Sequence, residues 1–156
     1  MEADRLRSTI QEAFSNVSVP AGRIVSCPCP ECEQLQVTFG GRQWASLSTH
    51  EVFIEAMSLS LLTLEAFHYY LPAYLCVSLQ NDDESWDVRF QTTVFLGELL
   101  SKHPGEWADE RQLVLSPNQV SAVVAYCEFI ALTDEELIEE ATKAHDQWVS
   151  LLDHEQ

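Results

Sequence analysis

The chain has 156 residues, 46% apolar and 21% charged, enough for one domain whose core needs no staple and too apolar for disorder throughout. Its 25 acidic and 8 basic residues give a formal net charge of -17. Phosphate backbones and anionic membrane surfaces attract basic patches, so neither nucleic acid nor membrane is the expected partner, and a basic protein is the natural complement.

The acidity is uneven: residues 81–156 carry seventeen acids against four bases. No segment reads as a targeting signal or a membrane span, which places the protein in the cytoplasm with its thiols reduced.

Leu6, Ile10, Ala13 and Phe14 recur at helical spacing and predict a first helix over 3–15. Pro20 and Gly22 then break the pattern. After the cysteine-rich run CPCPEC, residues 34–39 alternate apolar and polar, with Leu35, Val37 and Phe39 on one side. Gly40-Gly41 follows, so this stretch reads as a small β-hairpin. From Ser48 onward the sequence is helical. Ser48 with Glu51 forms a capping box ahead of Val52, Phe53, Ala56 and Met57. Thr63 caps a helix that is aromatic and apolar nearly all round, the expected centre of the fold, with Pro72 predicting a kink or break inside it. A long helix follows from Trp86 to about Lys102, then a loop, HPGEWADERQ. Ser116 with Gln119 is a second box, with Pro117 at the first helical position. Thr133 with Glu136 reads as a third, opening a helix on which Leu137, Ala141, Ala144, Trp148 and Leu151 form the apolar stripe.

The expected fold is therefore mainly α, a single-domain bundle of five to six helices with one small β-hairpin. The domain spans 1–156, with a Cys-rich turn and hairpin over 24–46 and a helical core over 48–152.

Cys27, Cys29 and Cys32 stand within six residues. Three thiolates suit a soft metal such as zinc, whose tetrahedral site wants a fourth ligand. His50, just beyond the expected hairpin, is the candidate. A structural zinc is one reading of the segment and a proline-stiffened turn with incidental thiols is the other. Cys29-Pro30-Glu31-Cys32 also has redox spacing, but a hairpin setting and the neighbouring Glu31 and Glu33 count against thiolate chemistry. Cys76 and Cys127 lie on apolar helix faces and read as inert core residues.

The run LTLEAFHYYLPAYL, residues 62–75, is the most individual stretch. With Gly41-Arg42-Gln43-Trp44 upstream and Leu115-Ser116-Pro117-Asn118-Gln119 downstream, it resembles a family of small bacterial proteins catalogued only as a domain of unknown function. The resemblance covers about residues 10–131. It implies one domain and brings no activity.

No sequence motif for a nucleophile, a metalloprotease helix or a phosphate-binding loop occurs. His68, beside Tyr69 and Tyr70, reads as a core histidine rather than a catalytic one, and His103 falls on a loop near Trp107. The leading functional expectation is thus an acidic protein-binding module, in concrete form an immunity- or antitoxin-like inhibitor of a basic protein. Glu135, Glu139, Glu140 and Asp146 would make the contacts, with Trp107 as an anchor. The alternatives are a zinc-binding protein using Cys27, Cys29, Cys32 and His50, and a small hydrolase or transferase built on the His68 helix.

Overall fold

The computed structural model describes residues 2–102 and 105–153, with the side chains of 100–102 left aside. Within these residues the chain forms eight α-helices: α1 (Ala3–Ala13), α2 (Pro30–Phe39), α3 (Thr49–Ile54), α4 (Leu64–Val77), α5 (Asp83–Lys102), α6 (Glu106–Leu113), α7 (Pro117–Thr133) and α8 (Ile138–Asp153). Short 3-10 turns at Trp44–Ser46, Leu59–Leu61 and Glu135–Leu137 connect them. The one extended pairing among the described residues is an isolated bridge between Val25 and Leu62.

The expected hairpin is a helix. Cys32, Leu35 and Phe39 recur at 3.6-residue spacing and are fully buried, while Val37, which completed the apparent alternation, is 83% exposed. Pro30 occupies the first position of α2, where its missing N–H costs no hydrogen bond, and Glu31 and Glu33 lie in the first turn at the positive end of the dipole. The two glycines end this helix rather than turn a hairpin. Gly40 donates its N–H back to the Gln36 carbonyl, and Gly41 adopts φ 74, the left-handed conformation that follows many helices.

α4 is the centre, with eleven of its fourteen residues buried. It packs against α1, α3, α5 and α6, while α7 lies against α1 and α8, and α8 against α5. Thr63 accepts from the Ala66 N–H as the expected cap. The helix runs through Pro72 without a break. α3 stops at Ile54, so Val52 is buried as expected but Met57 stands 76% exposed.

The central tyrosines tie the neighbouring segments down. Tyr70 has its hydroxyl 2.7 Å from the Phe39 carbonyl and 2.8 Å from that of Arg42, just past the end of α2. Tyr74 donates to the Glu55 carbonyl at 2.7 Å, and Tyr69 accepts from the Trp44 N–H at 3.1 Å. Burial raises the Tyr74 phenol well above its ordinary pKa and pushes Tyr70 up to about 12. Nearby, the Arg42 guanidinium and the Ser48 N–H hold the Glu51 carboxyl down to about 2.

The residues expected to form a loop after Lys102 make α6 instead from Glu106 onward; His103 lies outside the described residues. Arg111 explains the helix's grip. Its guanidinium stacks 3.8 Å from the Trp107 ring centroid and donates to the Leu62 carbonyl at 2.9 Å, with 5% of the residue exposed. The capping box of α7 forms as read, Ser116 and Gln119 each bonding the other's backbone N–H. The box assigned to Thr133 is displaced by one residue. The Thr133 hydroxyl turns back to the Phe129 carbonyl, and Asp134 accepts from the Glu136 N–H.

α8 lies close to α5. A Cβ on Gly97 would meet the Glu140 carbonyl at 3.3 Å, and Trp148, fully buried, donates to the Leu96 carbonyl at 3.1 Å. Among the described residues no single helix is long and apolar enough to cross a membrane; α6 and α7 pass that test together but meet at 101°.

Candidate metal centre

The positive start of α2 determines the local chemistry of CPCPEC. Cys29 is the residue ahead of the first helical turn, with φ -70 and ψ 159, and Pro30 is locked into the helix behind it. Cys32 falls on the third helical position and points into the core, fully buried. Cys27 reaches the same place from the incoming chain, and its sulfur accepts the Cys29 N–H at 3.4 Å. All three Sγ atoms lie within 4.8 Å of one another, with Cys27 exposed, Cys29 half-buried and Cys32 buried. A tetrahedral zinc with Zn–S bonds of about 2.3 Å needs sulfurs about 3.8 Å apart, so small rotamer changes close the trigonal face.

The thiols are electrostatically unequal. The Cys32 N–H and the thiols of Cys27 and Cys32 favour the thiolate of Cys29 and lower its pKa. Burial, reinforced by the two neighbouring sulfurs, pushes Cys32 up to about 12. Glu33 does not face the cluster as a bare charge, because Arg23 pairs with it at 2.5 Å. A cation would serve all three sulfurs at once, stabilising the thiolate of Cys29 and supplying the charge that Cys32 needs to ionise.

His50 is not among the residues brought together with the thiols. Its Nδ1 lies 2.6 Å from Glu84 Oε2 at the start of α5, and its ring sits 5.9 Å from that of Phe53. The physical reason is the missing hairpin. A hairpin would have folded the chain back toward the cysteines, whereas a ten-residue helix carries it about 15 Å away before α3 begins. Among the described residues the cluster therefore offers three protein ligands.

The residues expected to bind a partner are spread out. Glu135, Glu139 and Asp146 are exposed and Glu140 is half-buried. Glu139 and Glu140, but neither Glu135 nor Asp146, line a groove of about 350 Å³ between α5 and α8, together with Phe90, Val94, Gly97, Glu98 and Lys143. Trp107 is half-buried and engaged by Arg111. His68 has its Nε2 2.8 Å from Gln119 Oε1, the same oxygen that accepts the Ser116 N–H, so its ring braces the α7 cap. Cys76 and Cys127 are buried, and burial raises both thiols, to about 11 and about 12. Sequence reasoning missed a further feature, the buried carboxyl of Glu55 beside the exposed Met57; its only signal was an acid between two apolar residues in the stretch FIEAM.

A family model described as a family of unknown function (DUF6714) matches residues 28–150. The chain belongs to that family. The match starts later and runs further than the expected 10–131, leaving out α1 and taking in nearly all of α8. It includes Cys29 and Cys32 and begins one residue after Cys27. No curated protein and no solved structure matches the chain. In this member of DUF6714 the residues of the LTLEAFHYYLPAYL run are accounted for by the scaffold: Thr63 caps, Tyr69, Tyr70 and Tyr74 clamp, and Phe67 and Leu71 fill the core.

Proposed function

We propose that this protein binds one soft divalent metal ion, zinc foremost, through Cys27, Cys29 and Cys32, with the fourth position left to water or an incoming donor. The observation that supports this reading is the convergence of three sulfurs within 4.8 Å on one helix start. Soft thiolates select zinc over the hard cations. The metal would not hold the fold together. Its ligands span six consecutive residues, so closing that loop removes little chain entropy, and the core around α4 is complete without it. An exchangeable or catalytic metal with an open position fits this placement better than a structural one.

Native mass spectrometry of protein purified without chelator tests the proposal. One zinc per chain is expected, retained in His50→Ala and lost in Cys29→Ser. Stripping the metal should move the melting temperature by no more than about 2 °C, the effect of less than about 1 kcal/mol at this chain length. A bare mass in the presence of equimolar zinc would overturn the metal reading. A drop of about 10 °C on chelation would restore a structural role.

The groove between α5 and α8 favours a second reading, a basic protein partner seated on Glu98, Glu139 and Glu140 over Phe90 and Val94. Opposite charge at a partly apolar groove provides both steering and buried contact. Reversing Glu98, Glu139 and Glu140 to lysine should weaken binding of a lysine-rich peptide at least about tenfold at moderate salt. Reversal of Glu2, Asp4 and Glu12 on α1 should not. Equal losses in both variants would remove the groove from the argument and leave only net charge.

A further inference from the structure

A second site stands beside the thiol cluster without using any thiol. Where α3 ends, the chain turns through Glu55 toward the 3-10 turn at Leu59–Leu61. A pocket of about 450 Å³ opens there, lined by Glu31, Gln34, Ile54, Glu55, Met57, Ser58, Ser60 and Leu61. Only 4% of Glu55 is exposed. One carboxyl oxygen, Oε2, accepts the Ser58 hydroxyl at 2.7 Å. The other, Oε1, is buried and has no hydrogen-bond partner among the described residues.

An unpartnered buried carboxylate oxygen is costly, and chains seldom keep one without use. Glu55 is also held in place rather than left to find a partner. Tyr74 of α4 donates to its carbonyl, and its own N–H bonds the Val52 carbonyl. The backbone presenting the carboxyl is thus anchored to the centre of the fold. Among the described residues the pocket wall carries two carboxyls and no cation. Ile54 and Met57 are exposed at 46% and 76% beside it, and apolar groups held at that level in water suit an aliphatic stem. Burial raises the Glu55 pKa, with the Ser58 hydroxyl opposing; a donor or cation at Oε1 would relieve the same penalty.

We propose that this pocket binds a primary ammonium group on an aliphatic stem, with the ammonium donating to Glu55 Oε1 and the stem lying on Ile54, Met57 and Leu61. The pocket volume lies in the usual range for small-ligand sites, and the net charge of -17 raises the local concentration of cations. A free diamine and a protein lysine side chain present the same chemistry.

The chain has two methionines, so a 13C-methyl methionine label gives a nearly private reporter at Met57. Titration with 1,5-diaminopentane should shift the Met57 methyl saturably, while 1,5-pentanediol, its uncharged counterpart, leaves it unmoved. Glu55→Gln should weaken the diamine at least tenfold, and Glu139→Gln/Glu140→Gln on the far groove should not. Equal weakening by the two variants, an undiminished affinity in Glu55→Gln, or a shift produced by the diol would overturn the proposal. If Glu55→Gln fails to fold, the contrast between diamine and diol on the native protein decides. N-acetyl-lysine methylamide identifies the source. Binding of this probe assigns the pocket to lysine side chains, binding of the diamine alone assigns it to free amines, and binding of neither overturns the site.

Discussion

Replacing Arg89 with alanine is expected to lower the unfolding free energy by about 3–5 kcal/mol, the usual loss when one partner of a buried ion pair is removed. Arg89 and Asp134 meet at 2.9 Å with side chains 13% and 8% exposed. The guanidinium does more than neutralise the acid. Its Nε donates to the Ser78 carbonyl at 2.8 Å and its NH2 to the Gln80 carbonyl at 2.7 Å, which satisfies acceptors left over at the end of α4. Asp134 in turn accepts from the Trp86 indole at 3.0 Å and from the Glu136 N–H at 3.1 Å. One side chain therefore joins the end of the central helix, the start of α5 and the break between α7 and α8. The alanine variant leaves a carboxylate with two neutral donors and two carbonyls with none.

Urea denaturation measures the loss, and a melting-temperature drop of roughly 10 °C should accompany it for a chain of this length. The double variant Arg89→Ala/Asp134→Ala should lose clearly less than the two single variants summed, because it leaves no orphaned charge. A single-variant loss under about 1 kcal/mol would mean that the pair is solvated like a surface bridge and that the junction is held by packing alone.

The central part of this architecture was legible because its signals are local and redundant. Thr63, Ser48 with Glu51, and Ser116 with Pro117 and Gln119 each combine a cap with an apolar run behind it, and all three caps form. α2 was misread because period two and period 3.6 share most of their apolar positions over six residues. Leu35 and Phe39 satisfy both, and only Val37 separates them. The deciding clue lay in the cysteine cluster itself: Cys32 extends the apolar spacing backwards from Leu35, and Pro30 supplies the start. α6 was hidden for another reason. Its buried face is made by Ala108, Arg111 and Gln112, and a buried arginine held by carbonyls and an indole leaves no hydrophobic pattern to detect.

The same error in α2 shaped the site. With a hairpin, His50 belongs with the thiols; with a helix, it belongs with Glu84. The grouping of the three cysteines survived because it depends on six adjacent residues and not on the fold around them. Glu55 had only the weak signal of an acid between Ile54 and Ala56, since its isolation is produced by tertiary burial. Tyr74, read simply as core, proves to position the backbone of that carboxyl.

Cys29→Ser is expected to weaken zinc binding by more than about a hundredfold, beyond the 10- to 100-fold typical of losing a group that merely supports a ligand. Cys29 is the thiol whose surroundings lower its pKa, so it is the natural first ligand. Cys32, raised to about 12, must release a proton as it binds. Affinity should therefore rise with pH between 6 and 8, by up to about tenfold per unit for each proton displaced. Competition against a chromophoric chelator gives both numbers. In the metal-free protein, iodoacetamide should label exposed Cys27 and half-buried Cys29 while buried Cys32, Cys76 and Cys127 remain unmodified on the same timescale. One equivalent of zinc should protect Cys27 and Cys29 together, because both would be ligated by the same ion. Protection of neither, or equal zinc affinity in the native protein and Cys29→Ser, would show that the sulfurs converge without binding metal, and CPCPEC would then be a proline-stiffened entry to α2.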